Sequence, residues 1–347
     1  MTRKHNNGVP DLLCDPFGEY SPPPLRTAMQ LLGSRCHFES NSRQLLRLAD
    51  CAYAGLPRHR LSLKVPQLRI RLVLTSAEHA RRRYGPPPLA TLSGAGFFGG
   101  ATDASNFVVV SPRERSALVV VSPQMLRFPY HTRYELIEFA VFTLAQRVQG
   151  LAPLHAACVG CDGRGVLLLG PSGAGKSTVA LHCLLQGFDF LSEDSVFVAP
   201  DTMLATGVAN FLHVRFDSLR WIARARDAAR IRKSAVIRRR SGVRKFEVDL
   251  RHGGYRLAAS PLKIAAVVFL SAQPAGKGPL LKPLLAGELL ARLTTEQPYA
   301  ANQPQWPAFC RSVSRLGAFE LRRGRHPLEA VAVLGELLGF RGKKHWI

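Results

Sequence analysis

A glycine-rich segment in the middle of the chain has residue types that suit the binding of a nucleoside triphosphate. It follows an apolar run, Val166 to Leu169, that predicts a strand, and it precedes a predicted helix, Lys176 to Gln186. In that setting the glycines turn backbone N–H groups inward around phosphates, and the helix N-terminus adds partial positive charge. The segment reads Gly170, Pro171, Ser172, Gly173, Ala174, Gly175, Lys176, Ser177, Thr178.

Two side chains at the end of this segment favour ATP with Mg²⁺ as the ligands. Lys176 stands where an ammonium group bridges the β- and γ-phosphates of a nucleotide, and the hydroxyl of Ser177 stands where it binds magnesium. The sequence therefore predicts a site for ATP and Mg²⁺.

Two adjacent carboxylates, Glu193 and Asp194, supply the acidic groups that such a site needs. They follow a predicted strand, Phe188 to Leu191, so one helix and one strand return the chain to the same edge of the sheet as the glycine-rich segment. Adjacent side chains at a strand end point in different directions, so one carboxylate can hold the metal while the other removes a proton from an acceptor hydroxyl. Residue spacing leaves open which of them is the base.

Three further residues near the segment invite a chemical interpretation. His155 begins a predicted strand, His155 to Val159, and is by itself more typical of a structural histidine than of a catalytic one. Cys158 and Cys161 have C-x-x-C spacing, but no matching Cys or His pair follows downstream, which favours free thiols over a zinc or redox site.

The composition and apolar periodicity of the chain predict four parts. Residues 1–30, rich in Pro and Gly, predict a flexible arm; residues 31–132 predict a small α+β module; residues 133–150 predict a connecting helix; and residues 151–340 predict the nucleotide-binding domain. In the module, apolar periodicity predicts a helix at Ser42 to Ala52. It predicts strands at Leu61 to Val65, Leu68 to Leu74, Phe107 to Val110 and Ala117 to Ser122.

The part that follows the acidic pair predicts both strands and helices. Phe211 to Ala229 predicts a strand and a helix, and the stretch beginning at Lys245 predicts a strand. A buried strand is predicted at Ile264 to Ser271, and helices at Gly287 to Leu293 and Pro327 to Leu338.

Composition limits the partners and the compartment. The 347 residues carry 47 Lys and Arg against 24 Asp and Glu, a net charge of +23, which favours acidic partners or an acidic acceptor. Fourteen of the basic residues lie between His213 and Arg256, where Arg215, Arg220 and Arg238 to Arg240 could steer an acceptor or hold phosphates. We expect a cytoplasmic protein without a membrane partner, because no apolar run reaches membrane-spanning length and the N-terminus does not read as a secretory signal.

The motifs together resemble the HPr kinase/phosphorylase superfamily, whose catalytic domain is related to phosphoenolpyruvate carboxykinase. The matching residues lie between Ala152 and Val198: Leu154-His155-Ala156, the segment from Gly170 to Thr178, and Ser192-Glu193-Asp194-Ser195. The resemblance implies an α/β fold with a P-loop nucleotide-binding core of that type behind a smaller α+β N-terminal domain. It further implies a kinase that transfers the γ-phosphate of ATP to a serine of a peptide or small protein, with His155 supporting the acidic pair, and it raises the possibility of a homo-oligomer.

Two alternatives remain open at this stage. The segment from Gly170 to Thr178 also occurs in guanylate-kinase-like enzymes, although those carry it near the N-terminus. A protein of another class, regulated by ATP and gripping an acidic partner through the basic stretch, would have the same loop. Nucleic acid is a less expected partner, since no DNA- or RNA-binding signature is present.

Overall fold

Strands dominate the N-terminal part of the chain. The computed structural model describes residues 24–76, 85 and 88–340. Seven strands form the first sheet, in the order β1-β2-β3-β7-β6-β5-β4. Their bounds are Leu25–Leu31 (β1), Ser34–Ser40 (β2), Gln67–Leu74 (β3), Ala90–Gly94 (β4), Phe97–Asp103 (β5), Asn106–Ser111 (β6) and Ser116–Val121 (β7).

Buried and exposed side chains alternate along the strands, so this sheet has one apolar face. In β3 the side chains of Leu68, Ile70 and Leu72 are buried while their neighbours are exposed. Helix α1, Arg43–Tyr53, begins at Ser42, whose hydroxyl accepts a hydrogen bond from the backbone N–H of Leu45 at 3.4 Å. Its apolar side packs on the same face of the sheet.

A helical segment connects the first sheet to the rest of the chain. It comprises a short 3₁₀ turn at Met125–Arg127, one turn of α-helix at Pro129–His131 (α2), a π-helix at Thr132–Ile137 and helix α3 at Glu138–Gln149. Gly150, at φ +62°, ends α3 in the left-handed conformation. The predicted helix over 133–149 is confirmed, although its first turns are π-helical. Its apolar face packs in the core of the first sheet.

The second sheet has nine strands and contains the glycine-rich segment. Its main path runs β11-β9-β10-β17-β13-β12-β8, with β19 paired to β17 and β18 paired to β19. The bounds are Ala152–His155 (β8), Ala157–Cys161 (β9), Arg164–Leu169 (β10), Asp189–Ser192 (β11), Ser195–Ala199 (β12), Leu204–Gly207 (β13), Leu262–Pro274 (β17), Leu281–Pro283 (β18) and Gly317–Arg323 (β19).

A small third sheet and six helices complete the described chain. The third sheet has the order β14-β16-β15, from Phe211–Arg215 (β14), Ala235–Arg238 (β15) and Arg244–Asp249 (β16). The helices are Lys176–Leu185 (α4), Ala225–Arg232 (α5), Ala286–Glu296 (α6), Pro298–Ala301 (α7), Trp306–Val313 (α8) and Pro327–Leu338 (α9), with a 3₁₀ helix at Phe216–Trp221.

Helices cover both faces of the second sheet. Along β10, Val166 and Leu168 face a core shared with α4 and α9, whereas Leu167 and Leu169 face a core shared with α6 and α8. A strand buried on both faces reads as a continuous apolar run, which explains why this run was recognisable in the sequence. The protein is thus a mixed α/β fold with several mixed sheets.

The structure corrects three predictions and adds elements that were not predicted. Leu61 to Val65 form no strand, and Leu63 is fully exposed, so their alternation does not reflect a buried face. The predicted strand from His155 to Val159 is broken at Ala156, so His155 ends β8 instead of starting a strand. The segment 25–30, predicted as the end of a flexible arm, belongs to β1; residues 1–23 lie outside the described part. Strand β19 and helix α8 were not predicted.

Within the described residues, no helix is long and apolar enough to cross a membrane. The cysteines described are free, and burial raises the pKa of both the Cys158 and Cys161 thiols, the latter to about 11. Since both thiols lie in β9, a reactive C-x-x-C pair is not favoured.

Candidate active site

The glycine-rich segment forms a tight loop between β10 and α4. Gly170, Gly173 and Gly175 have φ values of +136°, +88° and +103°, which L side chains rarely adopt. A Cβ atom on Gly170 would lie 2.9 Å from the carbonyl oxygen of Leu270. The loop therefore requires glycine, and its backbone wraps the N-terminus of α4.

Lys176, the first residue of α4, folds back over this loop. Its side chain is buried, and its Nζ donates hydrogen bonds to the carbonyl oxygens of Gly170 at 2.6 Å and Pro171 at 3.4 Å. Burial lowers the pKa of Lys176, and attraction to Asp194, Glu296 and Glu193 only partly offsets that effect. The ammonium group thus lies within electrostatic range of the acidic pair.

The two hydroxyl residues that follow Lys176 point to different partners. The Ser177 hydroxyl hydrogen-bonds to the carboxylate of Glu193. The Thr178 hydroxyl lies 3.4 Å from that of Ser218 in the 3₁₀ helix. Ser177 therefore belongs with the acidic pair, whereas Thr178 ties α4 to the third sheet region.

Strand pairing brings His155 beside Asp194. The acidic pair lies in the connection between β11 and β12, and β12 pairs with β8 so that Ser195 is opposite His155. Nδ1 of His155 lies 3.0 Å from Oδ1 of Asp194, and both side chains are about half exposed. Burial disfavours the charged form of Asp194, but the hydrogen bond and charge of His155, together with the charges of Arg239 and His213, outweigh it and lower the pKa of Asp194 to about 2.

Gln297 holds the backbone of His155 in place. The N–H of His155 donates to Oε1 of Gln297 at 2.7 Å, and Nε2 of Gln297 donates to the carbonyl oxygen of His155 at 3.1 Å. Gln297 is buried between α6 and α7. This paired hydrogen bond fixes the end of β8, and with it the position of the imidazole.

Glu193 is held differently from Asp194. Its side chain is buried, and Oε2 accepts a hydrogen bond from the backbone N–H of His213 at 2.7 Å while lying 3.2 Å from Nδ1 of His213. Burial favours the neutral form of Glu193, but the hydrogen bond and the charge of His213 outweigh it, so the pKa of Glu193 is lowered. Glu193 is therefore an ionised carboxylate in a buried position.

His213 joins the acidic pair to the π-helix. Its Nε2 lies 3.0 Å from the hydroxyl of Tyr134 and 3.4 Å from Oε1 of Glu247, and Glu247 also pairs with Arg133. Burial disfavours the charged form of His213, but its hydrogen bonds with Glu193 and Glu247 raise its pKa. A π-helix often marks a functional site, and here it presents Arg133 and Tyr134 to this network.

Two cations of the basic stretch face the acidic pair. Burial lowers the pKa of Lys245, while the charges of Glu193 and Asp194 oppose that effect. Arg239 has an Nη2 atom 3.4 Å from Nδ1 of His213 and is also attracted to Asp194 and Glu193. Arg238, in contrast, is exposed.

A cavity of about 720 Å³ opens on the other side of the acidic pair. One wall is the face of α3 that carries Phe139, Phe142 and Gln146, and the opposite wall includes His155 and Asp194. None of the loop residues 170–178 lines it. Asp194 therefore has the loop on one side and a roomy cavity on the other.

The structure brings together the site residues that the sequence predicted: Lys176, Ser177, Glu193, Asp194 and His155. Sequence reasoning missed His213, Gln297 and Lys245 as members of the site. No local signal marks them, because they reach the site through pairing of distant strands and helices. The basic stretch contributes Lys245 and Arg239, whereas Arg215 pairs with Asp217 at the surface.

Within the described residues, no group of three or more His, Cys, Asp and Glu side chains is arranged to hold a metal ion. A magnesium ion that accompanies a nucleotide needs only one or two carboxylates, because phosphates and water complete its shell. The Ser177 hydroxyl beside the ionised Glu193 suits that demand.

Comparison with known proteins gives no assignment. No family model matches the sequence, and the search of curated proteins found no matching relative. Among solved structures, the chain is similar to the Hpr(Ser) kinase/phosphatase from Coxiella burnetii, with a TM-score of 0.27 and 13% identity over 54% of this chain and 87% of that chain. A similarity of that size does not establish a shared fold.

Proposed function

We propose that this protein is an ATP-dependent kinase that transfers the γ-phosphate to a hydroxyl group of an acceptor bound in the cavity. The observation that carries the proposal is the position of Asp194. Its carboxylate bonds to His155, acts electrostatically on Lys176 of the loop, and lines the cavity. A carboxylate between a phosphate-binding loop and an acceptor cavity is what phosphoryl transfer to a hydroxyl requires.

The loop residues bind the triphosphate in this proposal. Backbone N–H groups of the loop residues other than Pro171, which has none, face the phosphates. The Lys176 ammonium leaves its carbonyl partners, Gly170 and Pro171, to contact the β- and γ-phosphates. Magnesium, held by Ser177 and Glu193, would neutralise charge on the transferred group. Lys245 and Arg239 add positive charge beside the acidic pair.

Asp194 is the better candidate for the base, and Glu193 for the metal ligand. Both residues line the cavity, but Glu193 is buried and one of its oxygens is already bonded to His213, which leaves it less free to contact an acceptor hydroxyl. Asp194 is half exposed and lines the cavity. Its low pKa keeps it ionised at neutral pH, ready to accept a hydrogen bond from the acceptor.

His155 has a positioning role in this mechanism. Its imidazole fixes the orientation of the Asp194 carboxylate, and Gln297 fixes the backbone of His155. Because phosphoryl transfer depends mainly on positioning and electrostatics, a fixed carboxylate lowers the barrier without strong basicity. The HPr-kinase-like type and serine as the acceptor residue are part of the proposal and derive from the sequence motifs alone.

Incubation with γ-labelled ATP and magnesium in a fractionated lysate of the source cell tests the proposal. A kinase places the label on a discrete metabolite, peptide or protein. Label found only as free phosphate, or nucleotide binding without turnover, would instead favour an ATP-regulated binding protein. Phosphorylation of GMP by the purified protein would favour the nucleoside monophosphate kinase alternative.

A further inference from the structure

The cavity beside Asp194 contains buried oxygen atoms that have no partner. Oε1 of Glu138 and Oε1 of Gln146 are hydrogen-bonded to nothing in the described part of the protein, and these two residues are only 6% and 2% exposed. Leaving a buried acceptor unsatisfied is costly, and such atoms are rare unless a ligand or water completes them. Both belong to α3 and line the cavity.

The remaining hydrogen bonds of these side chains orient the free oxygens. Asn210 hydrogen-bonds to the Glu138 carboxylate, and Nε2 of Gln146 donates to the hydroxyl of Tyr299 at 2.9 Å. The carboxyl group of Glu138 and the amide group of Gln146 each have one hydrogen-bond partner, and each keeps one oxygen atom without a partner. Both free atoms need a donor, so the missing partner is a group rich in N–H or O–H.

The charges around the cavity select a cationic donor. Carboxylates on four elements line it, including Glu135, Glu138 and Glu296, whereas its described lining contains no Lys or Arg. Oε2 of Glu296 also has no hydrogen-bond partner in the described residues. Glu135, Glu193 and Asp194 each have a basic partner in the described residues. Glu138 and Glu296 form no ion pair there, so they are the groups that a bound cation would pair with.

Aromatic rings supply the rest of the lining. Phe139, Phe142, Phe197 and Phe211 line the cavity, and the rings of Phe142 and Phe197 are in edge-to-face contact with centroids 5.2 Å apart. Rings of this kind bind apolar groups and attract cations to their faces. The lining therefore suits a ligand with an apolar body and a positively charged end.

We propose that the cavity binds a phosphate acceptor that carries an amine or guanidinium group, which Glu138 binds, beside the hydroxyl that faces Asp194. Gln146, about two helical turns further along α3, accepts a hydrogen bond from a second N–H or O–H group of the ligand. This inference rests on the proposed kinase function for the role of the hydroxyl, but the recognition of the cation does not depend on catalysis. The cavity volume fits a small molecule or a peptide segment of a few residues. The acidic acceptor expected from the net charge does not fit this lining, because the excess of Lys and Arg lies elsewhere on the protein.

The raised pKa of Glu138 agrees with this assignment. Burial is the main cause, and it raises the pKa to about 8 despite the nearby charge of Arg133. A buried carboxylate without its cation holds a proton in this way, and a bound ammonium group would restore the ionised form.

Three probes that differ only in their charged end test the proposal: phenethylamine, 2-phenylethanol and 3-phenylpropionate. Their binding is measured by calorimetry at pH 8 without nucleotide. We expect the amine to bind at least about tenfold more tightly than the alcohol, and the carboxylate most weakly. A serine tetrapeptide with an arginine, compared with its glutamate counterpart, then shows whether the source of the cation is a peptide or a small molecule.

Substitutions of the α3 residues that line the cavity test where the amine binds. Glu138→Gln should abolish the preference for the amine, and Gln146→Leu should weaken binding of the arginine tetrapeptide about threefold or more. Glu114→Gln, at an exposed turn between β6 and β7, is the matched control and should leave binding unchanged. Thermal unfolding confirms that each variant is folded.

Equal or tighter binding of 3-phenylpropionate would overturn the inference, and so would a preference for the amine that survives Glu138→Gln in a folded protein. Binding of the amine by Lys176→Ala separates this result from the kinase proposal, since that variant lacks the phosphate-binding ammonium group. Amine recognition without phosphate transfer would support the inference and reject the kinase proposal. Phosphate transfer without amine recognition would support the kinase proposal and reject the inference.

Discussion

Nδ1 of His155 lies 3.0 Å from Oδ1 of Asp194, although the two residues come from different strands. Pairing of β8 with β12 creates this contact, and Gln297 fixes it by bonding both backbone groups of His155. The carboxylate that faces the cavity therefore has a set orientation before any ligand binds. Several measurable consequences depend on this arrangement.

His155→Ala should lower kcat by about ten- to a hundredfold and leave the KM for ATP unchanged. The reason is that the variant frees the Asp194 carboxylate to rotate without touching the loop. Steady-state kinetics with the acceptor from the labelling experiment measures the split. His252→Ala, which removes an exposed histidine, is the control; a higher KM for ATP in His155→Ala would indicate a role in nucleotide binding instead.

Lys176→Ala should weaken ATP binding by at least about tenfold, because a charge-assisted hydrogen bond to phosphate is lost. Calorimetric titration with ATP and magnesium checks this. The matched control is Lys282→Ala, which removes an exposed lysine on β18. Equal affinity in all three proteins would mean that the loop is not the nucleotide site.

Lys245→Ala should also weaken ATP binding, by about three- to tenfold. Lys245 is attracted to both Glu193 and Asp194, so its ammonium is close enough to act on phosphates bound beside them. Arg238→Ala serves as the comparison, because Arg238 is an exposed cation of the same basic stretch. If the two variants lost affinity equally, the effect would come from general surface charge. The loss of ATP affinity would then depend strongly on salt concentration.

The pH dependence of stability should reveal the buried Glu138. Its pKa is raised from 4.5 to about 8, so between these values the folded protein holds a proton that the unfolded chain has released. Folding stability contributed by this group therefore falls as pH rises across that window. The charged and titratable groups that influence it are Arg133, Tyr134, His213, Glu247, Tyr53 and Tyr130.

Glu138→Gln removes this titration and keeps the shape of the side chain. The melting temperature of the variant relative to wild type should therefore increase by about 2 °C or more between pH 5.5 and pH 8. Thermal unfolding followed by circular dichroism measures it. Parallel pH profiles for both proteins would mean that Glu138 has an ordinary pKa.

The sequence predicted those parts of the site that depend on residues close together in the chain. The loop from Gly170 to Thr178 depends on positive φ values and on a strand and helix that adjoin it, and all of these leave a mark within a few residues. Glu193 and Asp194 were recognisable because one helix and one strand bring them back to the loop. Helix α9, bounded by His326 and Gly339, was predicted at its observed limits.

The remaining parts of the site depend on long-range packing. Gln297 contacts His155 across 142 residues of sequence, and His213 on β14 contacts Glu193 across 20 residues. The acidic partner that the net charge favours stays a prediction, because that charge sums over the whole chain, whereas the cavity is lined by Glu135, Glu138 and their neighbours. Alternation at Leu61 to Val65 also misled, because no partner strand forms there.

The most direct test of the kinase proposal compares wild type with Asp194→Asn in a single turnover of γ-labelled ATP. The account predicts that the variant binds ATP and magnesium as wild type does, yet transfers label to the acceptor at least about a hundredfold more slowly. Transfer at the wild-type rate by Asp194→Asn would contradict the account, because that variant lacks the carboxylate on which the proposed mechanism depends.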